Sequence, residues 1–188
     1  MQQDCNLEML MARYQEGDLV AATALVECAA PNLYRFFLAQ AESRADAEDL
    51  LQETWLRIHK VRHTHRPGEP VLPWLYAIAR HIRIDHYRKS MRTVVGVREL
   101  ETMSQETVSA AEHMDRAVDL EALLAPLSAS EREVVEMLKV AGMSLEEVAR
   151  ATSSSVGSVK QKAHRAYKKL RESMAVVGFS KRQSRGAS

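Results

Sequence analysis

Cysteine is nearly absent from this chain. Cys5 and Cys28 are the only two, and they form no metal or redox motif. Such usage suggests reduced thiols in a cytoplasmic protein. No apolar run approaches the roughly 18 residues of a membrane span, which argues against membrane insertion. The N-terminal MQQDCNLEML lacks the basic and apolar blocks of a secretion signal. Seven glycines and five prolines are too few for a disordered or low-complexity chain. There is no internal repeat and no strand-like alternation. A nucleophile elbow, a phosphate loop, a paired-carboxylate arrangement and a metal quartet are also missing, so the residues carry no sign of an enzyme or of a cofactor. What remains is 46% hydrophobic and 27% charged, the composition of a packed helical protein.

Helix signals run along the whole chain. An amphipathic segment over 7–16 is stopped by Gly17. Asp18 opens a helix through about residue 40, which Pro31 is expected to kink or interrupt. Ser43 caps a third helix through about 62, with Asp46, Glu48 and Asp49 near its positive end. Residues 63–73 (HTHRPGEPVLP) read as a loop and 74–92 as a strongly basic helix. Residues 93–112 lose periodicity and hold no Trp, Tyr or Phe, as a linker would. A helix is expected over 114–124 and another from the Ser128/Glu131 capping box to about 140, ended by Gly142. The expectation is an all-α chain of two small helical domains on a flexible linker. Its divisions are 1–92, the linker 93–112, 113–176 and a basic tail 177–188.

The net charge of +1 hides segregation. Residues 57–92 carry +7 and 160–188 carry +8, leaving −14 on the remainder. Solvated charged faces would account for one basic island. Two, each on a helix with an apolar opposite face, imply two separate polyanion contacts, while the acidic remainder suits a basic protein partner.

The motif richest in information spans 143–170. Ser144 and Glu147 form a capping box, and Ser155 opens a second helix. Val156, Val159, Ala163, Ala166 and Leu170 share one face; Ser158, Gln161, Lys162, Arg165 and Lys169 share the other. This is the pattern of a helix-turn-helix whose second helix enters a DNA major groove. In the first half, Ala47, Leu50, Leu51, Thr54 and Ile58 form an inner face, with Asp49, Gln52, Glu53 and Leu56 outside it. Along 74–92, Leu75, Ile78, Ala79, Ile82 and His86 step along the inner side. Arginines there interleave with aromatics, which suits single-stranded nucleic acid: rings stack on bases and guanidinium groups hold phosphates. Trp74 and Tyr76 also read as ordinary core aromatics. His59, His63 and His65 have a spacing open to a metal, but no cysteine lies nearby and acids are sparse. Histidines beside phosphate are the simpler account, and no metal is expected.

Taken together these residues resemble an extracytoplasmic-function sigma factor of the sigma-seventy family. The region-two pattern lies at 46–56, 66–69 and 74–88. The region-four pattern lies at 127–170, most closely at Glu147-Val148-Ala149 and over 155–160. The resemblance implies a promoter-specificity subunit that binds bacterial core RNA polymerase, reads −35 and −10 promoter DNA and melts it, with an anti-sigma factor as a further partner. It implies polymerase contacts at Asp49, Gln52 and Glu53. It implies −10 contacts at Arg66, Gly68, Glu69, Arg80, His81, Arg83, Tyr87 and Arg88, the loop 66–72 accepting a flipped base. It implies −35 contacts at Ser155, Ser158, Gln161, Lys162 and Arg165. Two departures stand out. His81 replaces the family's usual Asn, and Thr152-Ser153-Ser154-Ser155 replaces its Leu-Gly-Ile-Ser turn. Without that glycine the turn is expected to be weaker, by about a kcal/mol. A sigma mimic that sequesters an anti-sigma factor without touching DNA fits the polar turn, but has no need of two basic islands. An ordinary helix-turn-helix repressor would usually need a dimerisation surface or ligand pocket, and no clear sequence for either is present. A promoter spacer of about 17 base pairs spans roughly 60 Å at 3.4 Å per step. A 20-residue linker reaches that far only when almost fully extended, at about 65–70 Å.

Overall fold

The computed structural model describes residues 5–97 and 125–183, with side chains through 89 and over 125–174. The described residues form helices α1 (Leu7–Gln15), α2 (Leu19–Leu38), α3 (Arg44–Val61), α4 (Val71–Val97), α5 (Ala129–Lys139), α6 (Leu145–Ala151) and α7 (Val156–Gln183), with a 3₁₀ turn at Arg62–Thr64. The architecture is all-α, as the periodicity predicts. Most of the expected linker, the helix expected over 114–124 and the last residues of the basic tail lie outside the described residues.

Polar caps start the helices. Asn6 accepts from the Met9 N–H, Asp18 from Val20 and Ala21, and Ser43 from Asp46. Ser128/Glu131 and Ser144/Glu147 close the two reciprocal capping boxes expected from sequence. At Gly17 (φ 95°) the chain turns α1 back onto α2. The N–H groups of Gly17 and Asp18 donate there to the carbonyls of Tyr14 and Arg13.

Three expectations are corrected. First, α2 runs through Pro31 without a break. Glu27, whose carbonyl loses its helical donor, and Pro31 itself both face solvent. Leu25 and Ala29 before the proline and Leu33, Phe36 and Phe37 after it are all buried, so packing keeps the helix uninterrupted across the proline. Second, α4 begins at Val71 rather than Trp74 and runs past residue 92 to Val97. Pro73 sits in its first turn, where the missing N–H has no helical partner to lose. Third, the cysteines are not free thiols: Cys5 and Cys28 are joined in a disulfide. The Gly17 turn brings their Cα atoms to 6.3 Å, across 23 residues of sequence. The linear spacing does not reveal that approach.

Among the described residues, two apolar clusters organise the interior. The smaller joins Met11, Tyr14, Leu25, Ala29, Ile58, Val71 and Leu75 of α1–α4. The larger is continuous from Leu33, Phe36, Phe37, Leu50, Tyr76, Ala79 and Ile82 to Val134, Met137, Met143, Val148, Val159 and Ala163. The two helical halves therefore share a core, with α4 packed on α6 and α2 on α5. The Phe36 and Tyr76 rings meet edge to face at 5.3 Å beneath this seam. Each such buried side chain contributes about 1.5–3 kcal/mol of apolar transfer energy.

Candidate nucleic-acid interface

Helix α3 turns Ala47, Leu50, Thr54 and Ile58 inward, all buried, with Leu51 half-buried. Its opposite side presents Asp49, Gln52 and Glu53, all exposed, in one stripe with Leu56 at 63% exposure. Two carboxylates and an amide beside an exposed leucine make an acidic, partly apolar stripe, chemically complementary to a basic amphipathic helix.

The loop after α3 is built by local chemistry. Pro67 and Gly68 occupy the middle of a turn closed by the Glu69 N–H donating to the Arg66 carbonyl, at 3.2 Å. Gly68 takes φ 83° there. Proline then positive-φ glycine is the residue order of a type II turn. The turn leaves Arg66, Gly68 and Glu69 exposed, with a loose Arg66–Glu69 ion pair at 3.8 Å. Both flanks of the loop are tied down. His65 is buried edge-on to Trp74, and the Val71 N–H donates to a Glu8 carboxylate oxygen.

Helix α4 divides the expected strand-binding residues into two groups. His81, Tyr87 and Arg88 are exposed, Tyr87 by 58%. His81 Nδ1–H donates to the Ala77 carbonyl at 2.8 Å, which orients the ring, and Arg88 pairs loosely with Asp85. A groove of about 680 Å³ between α3 and α4 is lined in part by Glu53, Leu56, Trp74, His81 and Asp85. Arg80 and Arg83 are instead half-buried against the other half of the molecule. Both guanidinium groups meet one Glu133 oxygen on α5, at 3.0 and 3.5 Å. The Glu133 side chain is only 4% exposed. The Nε–H groups are not aimed at that oxygen, so the cluster is held by charge rather than by aligned hydrogen bonds. Tyr76 is 1% exposed and is a core aromatic; Trp74 is half-buried over the smaller cluster. The histidines go to separate uses: His59 Nδ1 meets the Tyr14 hydroxyl at 2.7 Å, His63 is exposed and His65 is buried. No group of three metal-ligating side chains occurs among the described residues.

In the second half, Val159, Ala163 and Ala166 are buried, with Val156 and Leu170 half-buried, which is the expected seam of α7. The turn before it takes the helix-turn-helix path without glycine. Ser153 adopts φ 51°, and the N–H groups of Ser153 and Ser154 donate to the Arg150 and Ala149 carbonyls. This is a Schellman motif with serine at the left-handed position. Thr152 Oγ1 donates to the Val148 carbonyl and lies 2.8 Å from Ser154 Oγ, so the polar side chains tie the turn themselves. Ser155 Oγ accepts from the Ser158 N–H and caps α7. Gln161 and Arg165 are exposed, with Ser158 and Lys162 half-buried beside them. Lys169 leaves the outer stripe and donates to Glu131 at 2.7 Å, holding α7 to α5. That bond, ahead of burial, keeps the Glu131 carboxyl below the usual carboxylate range. Burial pushes the Glu136 carboxyl up, against the opposing effect of Arg35. Sequence reasoning missed Glu133. It read as one more carboxylate on an amphipathic helix, and nothing local marks its partners.

The comparisons fit this layout. A sequence model of Sigma-70 region 2 matches residues 25–93, and one of Sigma-70, region 4 matches 117–170. The chain is 31% identical to the ECF RNA polymerase sigma factor SigF of Caulobacter vibrioides, over 91% of this chain and 95% of that protein. It is 33% identical to the RNA polymerase sigma factor CarQ of Myxococcus xanthus, over 86% and 94%. Among solved structures, the sigma factor RpoE of Bartonella quintana, in complex with the anti-sigma factor NepR, superposes with a TM-score of 0.68. That match has 25% identity and covers 80% of this chain and 94% of that one. CnrH in complex with the cytosolic domain of CnrY shares the fold, with a TM-score of 0.71 at 22% identity over 90% and 97%. With these two regions in this order, and relatives matched along nearly their whole length, the chain belongs to the sigma-70 family as an extracytoplasmic-function sigma factor, a promoter-specificity subunit of transcription initiation.

Proposed function

We propose that this chain directs bacterial core RNA polymerase to promoters from the cytoplasm, with no chemistry of its own, and that its parts divide the work as follows. The exposed α3 stripe of Asp49, Gln52 and Glu53 docks on a basic helix of the polymerase clamp. The 66–69 turn and the α4 residues Arg80, His81, Arg83, Tyr87 and Arg88 hold the opened −10 strand, by stacking and phosphate contacts. The α7 residues Ser155, Ser158, Gln161, Lys162 and Arg165 meet the −35 duplex in the major groove. A single such module buries only about 600–1,000 Å² on DNA, so tethering both on one polymerase supplies the effective concentration that makes binding tight. Melting needs no catalytic residue: unstacking costs a few kcal/mol per step, offset by base capture. An anti-sigma factor is the expected negative regulator.

The observation that carries this reading is the helix-turn-helix with its recognition face exposed on the same chain as a basic, aromatic α4. The intact turn weighs against a mimic that has given up DNA. The shared core adds a condition. With Arg80 and Arg83 held by Glu133, the described arrangement is a closed form, and the two halves separate to reach DNA elements roughly 60 Å apart. The test is transcription by core polymerase plus this protein on a promoter library, with RNA 5′ ends sequenced. A shared upstream −35/−10 motif is expected. Absence of any open complex or transcript on every sequence overturns the reading.

A further inference from the structure

Helix α1 lies before the stretch that the region 2 pattern covers, which begins at residue 25, and none of the roles above falls on it. Its polar side chains nevertheless converge on the two ends of the −10 loop. At the entry, the Gln15 amide donates to the Arg62 carbonyl at 2.6 Å and to the His65 carbonyl at 2.8 Å. Beside it, Tyr14 meets His59 at 2.7 Å and the Arg62 guanidinium sits over the Tyr14 ring. At the exit, Glu8 accepts from the Val71 N–H at 3.2 Å, the first residue of α4. A carboxylate at that position satisfies a free N–H of the helix end and complements its positive dipole. Between these two ties the residues 66–69 are exposed, and among the described residues their hydrogen bonds and ion pairs stay within the turn. Only the Cys5–Cys28 bridge joins α1 covalently to α2 beyond the short Gly17 turn. Both cysteines are half-buried rather than enclosed in the core.

We propose that α1 is a strut that sets the conformation of the −10 loop, with Gln15 and Glu8 as its positioning residues and the Cys5–Cys28 pair as a thiol-controlled fastening. The proposal rests on the reading of 66–69 as a −10 strand contact. The fastening forms by exchange with a low-molecular-weight disulfide, RSSR. One cysteine thiolate attacks it, forming a mixed disulfide and expelling RS⁻. The second cysteine thiolate attacks the protein sulfur and expels the other RS⁻. The cysteine pair is oxidised by two electrons, RSSR is reduced to two RSH, and the two cysteine protons end on the released thiolates. Reduction reverses the steps and frees the N-terminal end of α1. A disulfide in a cytoplasmic protein is most often of this reversible, sensing kind.

The loop then has a binding-competent population that depends on the strut. If loosening α1 lowers that population to about a tenth, apparent affinity for the −10 strand falls about tenfold. The experiment uses full-length protein, oxidised or reduced before assembly with core polymerase, and a promoter recovered by the transcript mapping described above. If no promoter is recovered, the sigma reading itself has failed; with one in hand, the strut stands or falls separately. Affinity for the non-template −10 strand is measured by anisotropy, and base selectivity with a pool randomised across −10. Expected for reduced wild type, the C5S/C28S double variant, Q15E and E8A is about a tenfold loss at −10 and broadened base selectivity, with core-polymerase affinity and −35 duplex binding unchanged. E8Q, which keeps an acceptor oxygen, recovers most of what E8A loses, and C5S/C28S no longer responds to thiols. Because Q15E could lose its fold, hydrogen exchange over 62–75 is compared in oxidised and reduced wild type, where reduction is expected to speed exchange. Equal exchange in the two redox states, or folded E8A binding the −10 strand as wild type does, overturns the proposal.

Discussion

Glu133 is where the closed form is most open to a decisive perturbation. Its side chain is 4% exposed and faces the guanidinium groups of Arg80 and Arg83 at 3.0 and 3.5 Å across the seam between the halves. Two unit charges about 4 Å apart attract by roughly 4 kcal/mol at the effective dielectric of a protein surface. Desolvating the carboxylate offsets much of that. The N–H groups are not aligned on the oxygen, and the arginine side chains keep 28% and 18% of their exposure. The net contribution to closure should therefore lie near the low end for buried pairs, about 1–3 kcal/mol. In Glu133→Gln or Glu133→Ala the arginines would face each other without a counter-ion in the closed form and hydrate fully in the open one. The open population should then rise about 5- to 150-fold. The apolar seam of Val134, Met137 and Val148 remains, so the shift is in an equilibrium, not a complete opening. Small-angle scattering should report a larger radius for the free variant. Anisotropy with a non-template −10 oligonucleotide should report tighter binding by the free protein. Holoenzyme affinity should be unchanged if, as proposed, polymerase holds the halves apart. Variants that stay as compact as the parent and bind the strand no better would refute the reasoning.

Other outcomes follow from the same geometry. Ser153→Gly should stabilise the chain by about 1 kcal/mol in urea denaturation, because serine pays a left-handed penalty at φ 51° that glycine does not. Loss of stability would show that the Thr152 and Ser154 hydroxyl contacts need serine at this position. Lys162→Ala should weaken promoter binding about equally for all −35 sequences and flatten the salt dependence by about one counter-ion, as a phosphate contact does. Arg165→Ala, as a base reader, should cost about 1–3 kcal/mol and relax selectivity at one −35 position. A reversed pattern would exchange the two roles. Glu131 is depressed by its bond from Lys169. Its folded pKa is below its unfolded one, so its stabilisation is present above the ordinary carboxylate range and is lost as pH falls through the lower folded value. Thermal melting of Glu131→Gln should thus decline less steeply on acidification than the parent; an identical slope would count against the pair.

Much of this protein is set by local sequence. The caps at Ser43, Ser128, Ser144 and Ser155 and the turn glycines at 17 and 142 mark helix ends through bonds made within a few residues. The 3.6-residue periodicity sorted Ala47, Leu50, Thr54 and Ile58 inward on α3, and Val159, Ala163 and Ala166 inward on α7. The same pattern left Asp49, Gln52, Glu53, Gln161 and Arg165 facing water. Sequence alone misplaced features whose partners are distant. The first N–H of α4 finds its acceptor in Glu8, 63 residues away, and α2 continues through Pro31 over a buried core. The join between Cys5 and Cys28 depends on how α1 folds back. Pattern could show that residues 80 and 83 are arginines on a basic helix, but only the packing of α5 against α4 decided that one carboxylate holds them both. Periodicity reports which face of a helix avoids water. It carries no information about which helix covers that face, because burial and charge pairing are satisfied in space by residues that the chain order keeps far apart.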